Sequence, residues 1–169
     1  MKNTSWNQVF AGDVVQFMYA SQDGKKGNRT VICLDPKFRY KKKSTGRIVE
    51  LFVGLQIDVV GRQKTLTQME LKKLIELLGE SDQDESDQQL ERATLNDEAR
   101  LKKIYNTLKI FLRDNDIFRT FLIRECRRRR VFLLDKFADL NKLQVKNVGK
   151  QLINERRTKG ELEVSEVGI

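Results

Sequence analysis

The 169-residue chain contains no histidine, and this absence narrows its possible chemistry more than any other feature. Histidine is the commonest general base near neutral pH and the commonest metal ligand. Its absence excludes His-containing catalytic triads and imidazole metal sites. The two cysteines, Cys33 and Cys126, are too few and too far apart in the sequence to predict a structural zinc site.

Motifs for nucleotide or acyl chemistry are also missing. The chain has no GxxxxGK[ST], GxGxxG or GxSxG sequence. The acidic run Asp82–Asp87 lacks the glycine and the closing glutamate of a calcium loop. A hydrolase would have to rely on Asp, Glu and Lys, and no pair of them stands out. We predict a protein that is not an enzyme and that holds no metal or cofactor.

Long apolar segments are absent as well. No run of 18 apolar residues exists, and Met1–Phe10 lacks the apolar core of a signal peptide. We therefore expect a protein that is not secreted and does not contact a membrane. Cys33 and Cys126 lie in apolar stretches without a CxxC partner, which favours buried, reduced thiols; the sequence leaves a disulfide open.

Charge, in contrast, is abundant and arranged in blocks. The net charge is +9, from 33 Lys and Arg against 24 Asp and Glu. Residues 23–64 carry 11 basic and 4 acidic residues, and residues 99–159 carry 18 and 6. Between them, residues 80–98 hold 8 acidic residues and one arginine. Such segregation indicates a surface with a partner of opposite charge.

The first basic block has the pattern of β structure. Asp13–Ala20 alternates, and the glycines in Ser21–Asn28 predict a hairpin loop before a return strand over Arg29–Leu34. We expect Asp35-Pro36 to end that strand, because proline cannot continue a ladder. Lys37–Gly46 is then a basic loop. Arg47–Val60 is expected to form a long strand, or a strand pair, bent near Gly54.

The second half mixes helices and strands. Thr67 and Glu70 form a capping-box pattern, and Gly79 marks the end of that helix. The expected elements that follow are an acidic linker over residues 80–96, a helix over Asp97–Leu112, strands over Phe118–Ile123 and Arg130–Leu134, and a helix over Leu140–Asn154.

Two segments resemble a known family. VVQFMYASQDGKKGNRTVICLDPKF resembles the opening of WYL-type domains, where a strand that ends in an aromatic residue meets a Gly-containing hairpin. DIFRTFLIRECRRRRVFLLDKF is similar to their closing segment. Arg29, Arg119 and Arg124 match basic positions of the family. The Trp-Tyr-Leu strand that is the signature of the family is not present, and no helix-turn-helix precedes the first of the two segments.

The short, closely spaced strands favour a small barrel, and the resemblance implies that it is an SH3-like or Sm-like antiparallel β-barrel. With the helices expected above, the predicted fold is α+β, with a helical insertion longer than the family has and a C-terminal helix. This fold divides the chain into first barrel strands (1–64), the insertion (65–115), a hairpin that closes the barrel (116–137) and a helix with a tail (138–169). Similar short barrels occur in small proteins of tailed bacteriophages. We therefore expect the protein in the cytoplasm of a bacterial host or in a phage particle.

The candidate binding residues lie in both basic segments. Basic side chains displace phosphate counterions, and interleaved aromatic rings suit single strands. The candidates are Arg29, Phe38, Arg39, Tyr40, Lys41, Lys42, Lys43, Arg119, Arg124, Arg127, Arg128, Arg129 and Arg130. If the barrel closes through Phe118–Ile123, the two segments share one rim.

Other interpretations of these charges stay open. Lys41–Lys43 is also typical of an exposed hairpin tip, and the arginines also suit the protection of a strand edge. The expected function is binding of single-stranded DNA or RNA, or another polyanion, by a phage-type protein. The alternative is an adaptor in a phage particle, docking on acidic protein surfaces through the same basic face.

Overall fold

The computed structural model describes residues 2–20, 26–42, 45–58, 66–79, 93–135 and 140–159. Within these ranges the fold is α+β, with a six-stranded antiparallel sheet and four helices. Most of the predicted acidic linker, Lys43, and the tail from residue 160 lie outside them. No helix of the described ranges is long and apolar enough to span a membrane.

The strands follow the chain order only in part. The sheet has the order β1-β6-β2-β3-β4-β5. The alternation of Asp13–Ala20 correctly predicted β2, and β2 pairs with β3 as an antiparallel hairpin. The strands are β1 (Lys2–Thr4), β2 (Val14–Ala20), β3 (Lys26–Lys41), β4 (Ile48–Gln56), β5 (Phe118–Leu122) and β6 (Val131–Leu133).

Strand β3 continues beyond the predicted stop at Asp35-Pro36. Its register against β4 shifts between Cys33 and Asp35 and again between Asp35 and Phe38. At such an irregularity the ladder is interrupted, so a proline without an N–H fits. The prediction of a basic loop from Lys37 to Gly46 was therefore wrong for Lys37–Lys41, because these residues belong to β3.

Three of the helices cover one face of the sheet. The helices are α1 (Gln68–Gly79), α2 (Ala93–Asp114), α3 (Ile123–Cys126) and α4 (Lys142–Thr158). The capping box at the start of α1 is confirmed: the Glu70 N–H donates to Thr67 Oγ1 (3.1 Å), and the Thr67 N–H donates to Glu70 Oε1 (3.0 Å). Asn141 caps α4, which extends past the predicted end at Asn154.

A helix-side core fills the space between the sheet and helices α1, α2 and α4. Its strand members alternate along β4, as expected for a strand with one face toward the helices. It includes Leu51, Val53 and Leu55 of β4, Leu74 and Leu78 of α1, Ile104 and Leu108 of α2, and Val145, Val148 and Leu152 of α4.

An inner core lies against the opposite face of the sheet. Phe17, Phe52 and Phe121 meet edge to face or tilted, with ring centroids 5.2 to 6.1 Å apart. Such pairs add to the free energy gained by burying the rings. Gly54 permits close strand packing here, because a Cβ at this position would lie 2.3 Å from Val31 Cγ1.

Both cysteines belong to the inner core, as the sequence predicted. Cys33 and Cys126 are buried and free. Burial raises the pKa of both thiols well above their ordinary value. A thiol of this kind is a poor nucleophile, since the thiolate is the reactive form.

The predicted closing hairpin does not form. β5 pairs with β4 at one edge of the sheet, whereas β6 lies between β1 and β2. The residues between them form the helical turn α3, because one turn buries both Ile123 and Cys126 in the inner core. Within the described ranges the sheet stays open between its edge strands β1 and β5.

Candidate polyanion-binding site

An open cleft of about 540 Å³ separates the start of β4 from α3. Half of its lining residues are apolar and half are charged. The lining residues are Arg47, Ile48, Val49, Glu50, Leu122, Ile123, Arg124 and Arg127. The cleft therefore offers three guanidinium groups beside an apolar floor.

The short helix α3 determines where two of these arginines point. Ile123 and Cys126 anchor one side of the turn in the inner core. Arg124 and Arg127 are three positions apart, so they lie on a common side of the turn, and both are exposed. The backbone N–H of Leu122, just before the turn, donates to the Tyr19 hydroxyl (3.2 Å). The buried side chains of Ile123 and Cys126 and the Leu122–Tyr19 hydrogen bond therefore hold the turn in place, and the arginine side chains are exposed to solvent.

A second, shallower depression of about 330 Å³ continues from the cleft. Arg127 lines both, and Arg129 and Arg130 line the second one together with Trp6. The Trp6 indole Nε1–H donates to the Arg129 carbonyl at 2.8 Å. Its ring packs edge to face on Phe17 of the inner core, 5.0 Å between centroids. Trp6 thus ties the arginine-containing turn to the core.

Few carboxylates neutralise these arginines. Arg128 pairs with Glu125 (3.6 Å), and Glu50 in the cleft pairs with Lys37 (3.4 Å). The five arginines that line the two depressions are exposed and form no ion pair with a described residue: Arg47, Arg124, Arg127, Arg129 and Arg130. We call these five the arginine track. Their charge is available to an external anion.

The end of β3 lies beside the cleft. Arg39 is the cross-strand partner of Glu50, and Lys41 that of Ile48, so both share the face of β4 that lines the cleft. The Lys42 N–H donates to the Arg47 carbonyl (2.9 Å). The two basic segments are thus neighbours, although the expected closing hairpin is absent.

The two aromatic candidates of β3 occupy the other side of that strand. Phe38 and Tyr40 are half-buried and pack against the helix-side core. Because side chains alternate along a strand, Phe38 and Tyr40 lie on the face of β3 that is turned away from Arg39 and Lys41. Their rings therefore stabilise the sheet and do not line the cleft.

Comparison with known proteins gives no family. No protein-family model matches the chain, and neither a curated protein nor a solved structure matches it. The function of the site therefore has to be inferred from the geometry and charge of its residues. Within the ranges that the structure describes, no group of three or more Cys, Asp or Glu residues is placed to hold a metal ion.

Two predicted site arginines are buried. Arg119 is 4% exposed, and its Nη1 contacts the Phe118 carbonyl (2.9 Å) and Asp116 (3.3 Å). Arg29 is 7% exposed on β3. Neither presents its guanidinium to a ligand at the surface, so the arginine track omits both. Their basic type matched the family pattern, but sequence spacing does not reveal their burial.

Arg47 was missed by the sequence reasoning. It was assigned only as the first residue of a strand. The residue stands one position after Gly46, which has a φ of +68° and turns the chain into β4. A basic residue between a glycine turn and an apolar strand is typically exposed at the strand end. This pattern could have predicted that Arg47 is exposed.

Proposed function

We propose that the protein is a non-enzymatic binding protein that contacts single-stranded DNA or RNA through the arginine track. The observation that carries this proposal is the absence of ion pairs within the described residues at Arg47, Arg124, Arg127, Arg129 and Arg130, which line two adjoining depressions. Arginine pairs bidentately with phosphate, and several arginines around adjoining depressions suit a ligand that carries several phosphates.

The apolar floor of the cleft supports an unpaired strand as the ligand. Ile48 is the large exposed apolar side chain of this surface, 58% exposed beside Arg47, whereas Leu122 and Ile123 on the opposite wall are 3% and 8% exposed. In a single strand, the bases are free to contact such a surface while the phosphates meet the guanidinium groups. In a duplex the bases are stacked inward, so the same floor would gain little.

We further propose that the sheet is related to the small SH3-like or Sm-like barrels of WYL-type domains. The support is the β2–β3 hairpin at the resembling segment and the strongly basic β5–α3–β6 segment. Location in a bacterial host's cytoplasm or in a phage particle belongs to the same proposal. If the two folds are related, the sheet of this protein differs from a barrel in that it is open between β1 and β5 within the described residues.

Fluorescence anisotropy with labelled single-stranded DNA and RNA tests the proposed function. Binding should weaken log-linearly with salt concentration. Arg124→Ala/Arg127→Ala should weaken binding and reduce the salt slope by about 1.4, from about 0.7 per lost phosphate contact on a single strand. The matched control is Lys102→Ala/Lys103→Ala, which removes two exposed lysines from α2 and should leave the slope unchanged.

The adaptor alternative predicts a different result. A structural component of a phage particle would form a stoichiometric protein complex that resists nuclease treatment. If no oligonucleotide binds at low salt, or if the Arg124→Ala/Arg127→Ala slope equals that of the wild type, the nucleic-acid proposal fails.

A further inference from the structure

A second groove, away from the arginine track, lies between α4 and the start of β2. Its volume is about 530 Å³. Phe10 and Leu143 line it and are 62% and 67% exposed, with Pro36 and the buried Leu34 between them. Two large apolar side chains so exposed at one groove are a feature of surfaces that receive a partner.

The walls of this groove are held by two close backbone approaches. A Cβ at Gly12 would lie 2.7 Å from the Lys142 Cα, and Gly12 has a φ of +89°. A Cβ at Gly149 would lie 3.1 Å from the Leu34 Cβ. The glycines let α4 sit directly on β3 and the turn before β2. The groove is therefore built into the packing and does not depend on a flexible side chain.

Three lysines on one side of α4 give the groove its charge. Lys142, Lys146 and Lys150 recur every four residues, so they form one row along the helix. Lys142 pairs with the buried Asp13 (2.9 Å). Lys146 and Lys150 form no ion pair with any residue in the described part of the chain. One carboxylate also lines the groove: Asp35, whose Oδ1 accepts from the Lys37 N–H at 2.9 Å. The groove thus combines an apolar floor with two available positive charges and one negative charge.

We propose that this groove binds the chain's own segment of residues 160–169, GELEVSEVGI. Three glutamates alternate there with Leu162, Val164 and Val167. This composition complements both the lysines and the apolar floor. In the other acidic segment, residues 80–98, the acidic run over residues 80–89 contains no apolar residue, so its charges are not interleaved with apolar side chains as they are in residues 160–169.

The distance along α4 permits this contact. From Thr158 back to Lys146 the helix rises about 18 Å, at about 1.5 Å per residue. The ten residues after Lys159 span up to about 33 Å when extended. A tethered segment also binds at a high effective concentration, so a weak contact suffices to fill the groove.

Paramagnetic relaxation measured on the full-length protein tests this proposal. Cys33 and Cys126 are buried, so a thiol-specific nitroxide label attaches selectively to the thiol introduced by Ser165→Cys, which leaves the glutamates and apolar residues of the segment unchanged. We expect strong broadening of the amide signals of Phe10, Leu143, Lys146 and Lys150. Lys146→Glu/Lys150→Glu should reduce that broadening several-fold, whereas the matched control Lys102→Glu/Lys103→Glu should retain it.

Three outcomes would overturn the proposal. The first is broadening confined to the last turn of α4. The second is broadening that Lys146→Glu/Lys150→Glu leaves intact, which would mean that the lysine charges do not hold the segment in the groove. The third is equal broadening in an unlabelled, isotope-enriched chain mixed with a labelled one, which would identify a second copy as the occupant. Circular dichroism of each variant establishes that the fold is retained, so that lost broadening reports the groove.

Discussion

The end of β3 and the turn around α3 look alike in sequence but differ in the structure. Both are basic runs beside apolar residues. Along Lys37–Lys41 alternate side chains enter the helix-side core, and Lys37 is paired with Glu50. Around α3, Ile123 and Cys126 provide the anchor and Arg124, Arg127, Arg129 and Arg130 remain exposed. One basic run is largely part of the sheet, and the other is largely available.

The difference shows that charge density alone does not identify a binding surface. The period of the local structure decides how many charges remain free. At the end of β3, every second side chain packs against the helix-side core. The turn α3 buries only Ile123 and Cys126, and the neighbouring arginines are exposed to solvent. The four predictions below test this division, from the largest expected effect to the smallest.

Removing the aromatic rings of β3 should mainly reduce stability. Phe38→Ala and Tyr40→Ala should each lower the free energy of unfolding by about 2 kcal/mol, roughly half the cost for a fully buried ring. Affinity for single-stranded DNA should stay near that of the wild type, because the rings face the helix-side core. Urea denaturation and anisotropy measure the two effects. Unchanged stability with lost affinity would show that the rings bind the ligand.

The two thiols should report on both regions through pH. The unfolded thiols ionise near 9.0, whereas burial keeps the folded ones protonated. The unfolded state then binds fewer protons, so stability should fall as pH rises above about 9, by about 1.4 kcal/mol per thiol at pH 10. Urea unfolding at pH 8 and 10 measures this loss.

Single variants divide that pH effect between the regions. Cys33→Ala removes the part of this loss in unfolding free energy that comes from the thiol in β3. Cys126→Ala removes the part that comes from the thiol in the arginine-containing turn. Each should abolish about half of the thiol-dependent loss. If Cys126→Ala leaves the loss unchanged, the turn is not held on the inner core as the structure shows.

Replacing Trp6 should have a smaller effect, on the contact between the arginine-containing turn and the inner core. Trp6→Phe retains a ring against Phe17 but removes the indole N–H that donates to the Arg129 carbonyl. We expect a loss of about 1 kcal/mol in the free energy of unfolding, the usual net value of one hydrogen bond. Hydrogen exchange at Arg129 and Arg130 should accelerate, while exchange in β3 should not; equal acceleration in both would contradict a local role.

Proline 36 should contribute least. Because Pro36 lies where the register of β3 shifts, Pro36→Ala should change the free energy of unfolding by less than about 0.5 kcal/mol. Thermal and urea denaturation measure this. A large stabilisation would mean that the proline strains the strand, and a large loss would mean that it fixes the irregularity.

Local patterns in the sequence predicted much of the fold. The alternation of Asp13–Ala20 and the Thr67–Glu70 capping box depend on neighbouring residues, and both are confirmed. The path of β3 past Pro36 depends on partners in β4, which a local rule cannot include. For the same reason the two strands around the arginines were predicted, but their pairing with each other in a closing hairpin was wrong: β5 pairs with β4, and β6 pairs with β1 and β2.

The candidate site was predictable only as a set of charges. The exposed positions of Arg124 and Arg127–Arg130 follow from a basic run, which burial rarely tolerates. The burial of Arg29 and Arg119 depends on long-range packing, and so does the position of Arg47 across from α3. Phe38 and Tyr40 were interpreted as stacking groups because a loop was expected where the structure has a strand.

Chemical-shift mapping with a short single-stranded oligonucleotide tests the central claim most directly. At low salt, the largest backbone amide shifts should occur at Arg47, Arg124, Arg127, Arg129 and Arg130, with smaller shifts at Arg39 and Lys41 and none at Lys146 or Lys150. The arginine shifts should diminish as salt increases. Shifts concentrated on α4 with an unperturbed arginine track, or no shifts at any oligonucleotide concentration, would contradict the account.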